Sequence, residues 1–317
     1  MNIHRMIQGL LFVSGLLFGL VVGNLGSRAA ILSKFLVFGK KVPPWRSPDS
    51  EELLFDDVSF VSNDGVLLRG WFIRSSRAET RPAPAVVLVH SWGWSRVGYL
   101  SQSSPLPGAT VDLLRVARML HDSGMHVLLF DLRNHGSSQV HAPVTFGVHE
   151  SRDVIAAINW LQEQPEVDNE RLGAIGFSMG ANALMYALPY CQPVKAAVAI
   201  QPVRVATYAP ALAREMIGPI GPALLELVSL AHPLLDAPQL KSADPTPLAK
   251  LITETHMLYI QGDGDYEGNL YSIQEIVEQT PSAELLVIPS RDRFDTYHWL
   301  DEHPETFQLF FERNLLW

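Results

Sequence analysis

The sequence contains a single cysteine, Cys191, in 317 residues, so no disulfide forms within the chain and no cysteine zinc site or Cys-x-x-Cys redox pair can be built. This leaves the redox compartment open, because a disulfide-free protein is stable on either side of a membrane. No Gly-x-Gly-x-x-Gly follows a strand-like run and no Walker lysine loop is present, so no nucleotide cofactor is implied. The histidines lack His-x-x-x-His and His-x-His spacing, and no metal is implied. Acidic residues are absent from residues 1–48, which hold Arg5, Arg28, Lys34, Lys40, Lys41 and Arg46; the rest of the chain carries 18 bases against all 33 acids. A nucleic-acid partner for that acidic body is excluded, since phosphate binding needs a basic surface. No repeat of 20 to 50 residues and no low-complexity tract is visible. With 47% hydrophobic and 18% charged residues, the chain as a whole is not disordered and is long enough for one large core or two small ones.

Charge is also missing from Met6 to Leu25, MIQGLLFVSGLLFGLVVGNL, where only Gln8, Ser14 and Asn24 are polar. Twenty residues of helix rise about 30 Å, the thickness of the hydrocarbon core, so a membrane-spanning anchor is expected. A cleaved signal peptide is the alternative, with Arg5 as the basic start and Ser27-Arg28-Ala29 as a loose cleavage site. Gly15, Gly19 and Gly23 share one helical face, where close contact between two helices, and hence dimerisation, is an option. More basic residues follow the span than precede it, which predicts a cytoplasmic body. Ile31 to Phe38 is apolar and too short to span; it either lies in the membrane interface or packs on the body. Pro43, Pro44 and Pro48 mark a linker, so residues 1–48 are expected to be an anchor and linker ahead of one domain, 49–317.

Residues 55–61 and 66–73 predict two strands around Ser62-Asn63-Asp64-Gly65, whose Asn, Asp and Gly tolerate positive φ. Beyond them, short runs too apolar for a wet face (85–89, 126–130, 172–177, 194–200, 256–260, 285–288) alternate with helix-length segments (109–122, 149–163, 179–188, 268–279, 304–314). The runs suit parallel strands buried on both faces. The expected fold class is therefore α/β: a three-layer sandwich, mostly parallel, with an antiparallel hairpin at one edge. About fifty residues rich in Pro, Ala and Leu, 203–252, interrupt the alternation and predict a small helical cap.

Gly176-Phe177-Ser178-Met179-Gly180 stands between the apolar run RLGAIGF and the helix-forming ANALMYAL. That is the strand–turn–helix setting of a nucleophile elbow, whose tight turn needs small residues on either side of a serine thrust out above the sheet. Here the chain resembles the α/β-hydrolase superfamily, as a serine hydrolase with an N-terminal anchor. Val86 to Arg96 (VVLVHSWGWSR) resembles that family's strand and His-Gly-x-Gly loop, and Val127 to Ser138 (VLLFDLRNHGSS) its Asp-x-Arg-x-His-Gly-x-Ser turn. Phe146 to Leu161 resembles the helix entered through Gly-x-x-Glu-x-x-Asp, and Met257 to Asp265 (MLYIQGDGD) the strand ending in Gly-x-x-Asp. The likeness covers about residues 55–317.

The resemblance implies Ser178 as nucleophile, Asp265 as the orienting acid with Asp263 as competitor, and His298 as base with His303 as alternative. A serine hydroxyl needs such a base, and the base an orienting carboxylate. It also implies oxyanion donors in the backbone N–H groups of Met179 and Trp92. The family's glycine after histidine is Ser91 here, and the segment Ser290 to Tyr297, SRDRFDTY, lacks the glycine the family often places before its catalytic histidine. His90 reads as a structural histidine bracing its loop, and Asp131, Arg133, His135, Glu150 and Asp153 as bracing groups. The expected function is cleavage of an ester, thioester or amide through an acyl-enzyme, without cofactor. An acyltransferase or thioesterase on the same triad, or a non-catalytic binding scaffold, are the alternatives. The apolar cap and the anchor suit a lipid-like or other acyl substrate, which the sequence does not name.

Overall fold

The computed structural model describes residues 23, 27, 34, 36–39, 41–75, 82–103, 110–266 and 268–316. The predicted span Met6–Leu25 lies outside these residues except for Gly23, which is helical and exposed; Gly15 and Gly19 lie outside as well. Among the described residues no helix is long and apolar enough to cross a membrane.

β1 (Phe55–Val61) and β2 (Leu67–Ile73) form the predicted hairpin, with Gly65 at φ 85° in its turn. Next come β3 (Ala83–Val89) and a small ribbon of β4 (Gly98–Tyr99) and β5 (Val111–Asp112). β6 (His126–Asp131), β7 (Val167–Phe177), β8 (Ala196–Ile200), β9 (His256–Gly262) and β10 (Ala283–Ile288) complete the strands. The main sheet runs β1-β2-β6-β3-β7-β8-β9-β10. β1, β2 and β6 pair antiparallel, and every pairing from β6 to β10 is parallel.

The helices are α1 (Leu113–Asp122), α2 (Glu150–Gln162), α3 (Met179–Ala187), α4 (Val205–Ile217), α5 (Gly221–Ala231), α6 (Leu270–Gln279), α7 (Arg293–Glu302) and α8 (Glu305–Phe311). Alternate residues of each strand serve opposite faces. Val87 and Val89 of β3 join a core with Val154 and Ile158 of α2, Leu184 of α3 and Ile273 of α6. Val86 and Leu88 join a second core with Leu114 of α1, Leu300 of α7 and Phe307 of α8. These are the three layers expected from the alternation of runs. Residues 203–252 fold into α4, α5 and short 3-10 turns, and Tyr208, Leu212 and Leu225 tie them to the first core.

One helix was not expected. Ser290 to Tyr297 belongs to none of the helix-length segments of the sequence, but α7 begins at Arg293, because the Asp292 carboxylate accepts the Phe294 and Asp295 amides at 2.8 and 3.0 Å and caps the first turn.

Candidate functional site

The parallel strands bring their C-terminal ends to one edge, and the groups of interest gather there. Ser178 follows β7 directly and precedes α3. Its backbone is held at φ 51°, ψ −109°, a conformation costing about 1–3 kcal/mol in a non-glycine residue. The turn is locked by the Ser178 amide on the Ile200 carbonyl (2.8 Å) and by the Asn182 amide on the Ser178 carbonyl (3.0 Å). The flanking glycines are required by contact: a Cβ on Gly180 would lie 2.3 Å from the Val89 oxygen, and one on Gly176 2.6 Å from the Gly180 oxygen.

Asp265 follows β9 and is 2% exposed. Its carboxylate accepts from the Gly268 amide (2.9 Å), Gln261 Nε2 (3.1 Å) and Arg293 Nη2 (2.8 Å). The competitor Asp263 is exposed and accepts the Ser290 amide at 2.8 Å, which ties the loop after β10 to β9.

Arg293 occupies the place between nucleophile and acid. Its Nη1 donates to Ser178 Oγ at 2.8 Å while Nη2 pairs with Asp265, and both nitrogens reach the Gln201 carbonyl, at 3.4 and 3.2 Å. Its guanidinium also lies over the Tyr208 ring of the cap, 5.3 Å from the centroid. Gln201 itself is fully buried, and among the described residues neither atom of its side-chain amide has a partner. Hydrogen-bonding capacity is thus left unspent beside the guanidinium.

The structure therefore brings Ser178 and Asp265 together but not His298. His298 sits five residues beyond Arg293 on α7, about 140° around a helix of 3.6 residues per turn, and it is exposed. Among the described residues no hydrogen bond joins it to Ser178 or Asp265. The expected relay through His298 is replaced by a bridge through Arg293 because helix periodicity turns the two side chains to different faces. His303 is no substitute: it stacks on Trp299 at 4.3 Å and pairs with Glu305 at the surface. Arg293 is the residue sequence reasoning missed. The signal was Asp292 ahead of Arg-Phe-Asp, a helix N-cap pattern that places residue 293 in the first turn and carries residue 298 past it.

The surrounding loops are braced as expected. His90 Nδ1 donates to the Ser91 carbonyl at 2.7 Å, and its Nε2 accepts the Leu132 amide at 3.0 Å. Burial pushes His90 down to about 4 and its neighbour His135 down to about 3, and among the described residues no hydrogen bond joins either ring to Ser178. Asp131 takes the Arg96 amide and guanidinium. Arg133 pairs with Asp153 and Asp64, and Glu150 caps the Thr145 and Gly147 amides.

Ser91, Trp92, Trp94, Ser178, Arg293 and Tyr297 line a cavity of about 60 Å³, closed from the cap side by Tyr208 and Leu212. That is room for a few waters, far below the several hundred Å³ of a typical small-molecule site. Met179 opens α3 immediately after Ser178, and Trp92 lies on the loop after β3. Trp94 packs on Phe177 and Tyr297, and Trp92 on Phe146.

Residues 64–211 match the family model of the X-Pro dipeptidyl-peptidases, S15 family. The thiohydrolase aneE of Aspergillus aculeatus is 29% identical over 161 residues, 50% of this chain and 45% of that protein. The polyketide transferase grgF of a Penicillium species is 26% identical over 247 residues, 76% of this chain and 69% of that protein. This chain thus spans less than half the length of the thiohydrolase it matches. Among solved structures, the Pyrococcus furiosus esterase Pf2001 superposes with a TM-score of 0.70 at 22% identity, covering 88% of this chain and 98% of that one. The fold is that of the α/β hydrolases, and the three proteins named here are a thiohydrolase, a polyketide transferase and an esterase.

Proposed function

We propose that this chain is an acyl-ligand protein on a hydrolase frame, receiving the carbonyl end of an ester, thioester or amide at Ser178 without running a Ser-His-Asp relay. The observation that carries this is the Arg293 bridge. A relay needs a group that accepts the serine proton while donating to the carboxylate. Imidazole has one acceptor and one donor nitrogen; guanidinium has five donors and no acceptor, and it stays protonated throughout the physiological range. Arg293 therefore occupies a lone pair of Ser178 Oγ and takes nothing from it. The remaining elements suit carbonyl recognition: the serine hydroxyl, the cationic guanidinium, and the Met179 and Trp92 amides as oxyanion donors at a helix N-terminus and facing loop. The unpartnered Gln201 amide adds polar capacity.

A second function, slow Ser178-dependent hydrolysis or acyl transfer, is favoured by the elbow itself. Its strained backbone is retained although a plain strand-to-helix turn would cost less. In that case the Ser178 hydroxyl gives its proton to water, the alkoxide paired with Arg293 bonds to the acyl carbon, the bond from that carbon to the leaving group breaks as water returns the proton to the leaving group, and a second water or an acceptor takes the acyl group from Oγ, while Asp265 holds the guanidinium.

Treatment of the full chain with a fluorophosphonate probe, beside ester turnover by the wild type and Ser178→Ala, separates the two. The binding function predicts no stoichiometric adduct and turnover within a few-fold of the alanine variant. A rapid Ser178-dependent adduct with a burst of alcohol release establishes the hydrolase.

A further inference from the structure

Three chain segments that take no part in the site are joined at one residue. The N-terminal segment is helical at residues 36–38 and turns at Gly39, φ 64°. Leu36 is buried at 1% in the first core, and the Val37 carbonyl accepts the Val144 amide at 3.0 Å. The Val144 carbonyl in turn accepts from His232 Nε2 at 3.2 Å, just past the end of α5 in the cap. The apolar stretch up to Phe38 thus packs on the body through Leu36.

Each of the three segments also presents an apolar side chain outward. Phe38 is 51% exposed, Val140 in the loop before Val144 is 47%, and Leu230 and Leu234, on either side of His232, are 61% and 84%. Single exposed hydrophobic residues are ordinary, but here three separate segments that meet at Val144 each expose one or two of them, which suits an apolar neighbour. Lys34 is exposed on the N-terminal segment, within the six-base, acid-free stretch 1–48, while the Lys41 ammonium is taken up by the Ser138 and His135 carbonyls and ties the segment to the body. The residues entering this face are preceded in sequence by the uncharged run Met6–Leu25.

We propose that this face, Phe38, Val140, Leu230 and Leu234 with Lys34, rests on a lipid bilayer that carries anionic headgroups. Apolar side chains enter the headgroup and acyl boundary while Lys34 pairs with lipid phosphate, the division of labour of interfacial membrane surfaces. Two features of the chain choose lipid over a protein partner: cationic charge with no acid in the N-terminal segment, and an uncharged run of membrane-spanning length that precedes this segment in the sequence. The proposal is independent of what Ser178 does. It orients the cap toward the membrane, and with it Tyr208, the ring over Arg293.

The test uses the full chain in vesicles of phosphatidylcholine and phosphatidylglycerol. A nitroxide is placed at Leu234→Cys or, separately, at Val140→Cys, in a Cys191→Ser background that removes the one native thiol. Val287→Cys on β10, 38% exposed, serves as control. Electron spin resonance then reads access to oxygen, which concentrates in lipid, against a water-soluble nickel chelate. The expected result is a several-fold rise in the oxygen-to-nickel ratio at 234 and 140 on adding vesicles, with none at 287. Unchanged nickel access at 234 and 140 overturns the proposal. So does loss of access to both reagents, the signature of burial against a second copy or another protein, and so does failure of the full chain to associate with the vesicles.

Discussion

If Arg293 rather than His298 stands between nucleophile and acid, Arg293→His should create a base where the wild type has none. Arg293 Nη1 and Nη2 lie 2.8 Å from Ser178 Oγ and Asp265 Oδ2, and the two nitrogens of an imidazole can bridge the same partners. The imidazole stem is shorter, so the first turn of α7 has to close part of the gap. A well-placed general base is worth about 10²- to 10⁴-fold, and the imperfect fit selects the lower end, a gain of about 10²-fold in kcat/KM. The assay is hydrolysis of p-nitrophenyl acetate by the full chain between pH 6 and 9, for wild type, Arg293→His, Ser178→Ala, His298→Ala and the Arg293→His/Ser178→Ala pair. Wild type should stay within a few-fold of Ser178→Ala, and His298→Ala should match wild type. The gain in Arg293→His should rise with pH through the imidazole range, because only the neutral ring accepts a proton, and should vanish in the double variant. The reasoning fails if wild type shows strong Ser178-dependent turnover that His298→Ala abolishes and Arg293→His lowers.

Other outcomes follow from the same geometry. Arg293→Met leaves the 2%-exposed Asp265 carboxylate without its cation, and breaking a buried pair from one side costs about 3–5 kcal/mol; urea unfolding should show this loss, and adding Asp265→Asn should recover part of it. His90 and His135 titrate in the folded state at about 4 and about 3, below the ordinary value near ~6.5. Their contribution is complete above that ordinary value and is lost as pH falls, because the unfolded chain then takes up protons that the folded chain refuses. The slope is about 1.4 kcal/mol per pH unit for each ring, summing to about 3 kcal/mol for His90 by pH 4; equal urea midpoints at pH 7 and pH 5 would contradict this. Gly180→Ala places a methyl 2.3 Å from the Val89 carbonyl, an overpacking of about 1–3 kcal/mol against backbone that cannot rotate away, measurable as a lowered thermal midpoint. The cavity of about 60 Å³ should admit acetyl or butyryl groups and refuse long chains until Tyr208→Ala/Leu212→Ala opens the cap side; calorimetric titration with a carboxylate series of increasing length reads the difference.

The sequence by itself determined the layers, because burial on both strand faces writes itself as apolar runs: the β3, β6, β7, β8 and β9 segments were legible in this way, whereas 285–288, read the same way, lies in β10 at the sheet edge, where Glu284 and Val287 are exposed. It determined the elbow too, through a glycine on each side of the serine: Gly176 is demanded by the Gly180 backbone four residues on, whereas Gly180 is demanded by the Val89 carbonyl at the end of β3. The third member of the site was decided only in three dimensions. His298 was chosen by residue type and chain order, two properties blind to the direction in which a helical side chain points. Asp292 starts a helix that turns Arg293 inward and His298 to solvent, and whether an inward guanidinium is tolerated depends on Asp265, Ser178 and the Gln201 carbonyl, which lie just past the ends of β9, β7 and β8. Local contacts leave a local trace in the sequence; a charge neutralised across 28 residues and bonded to a hydroxyl 115 residues away leaves none.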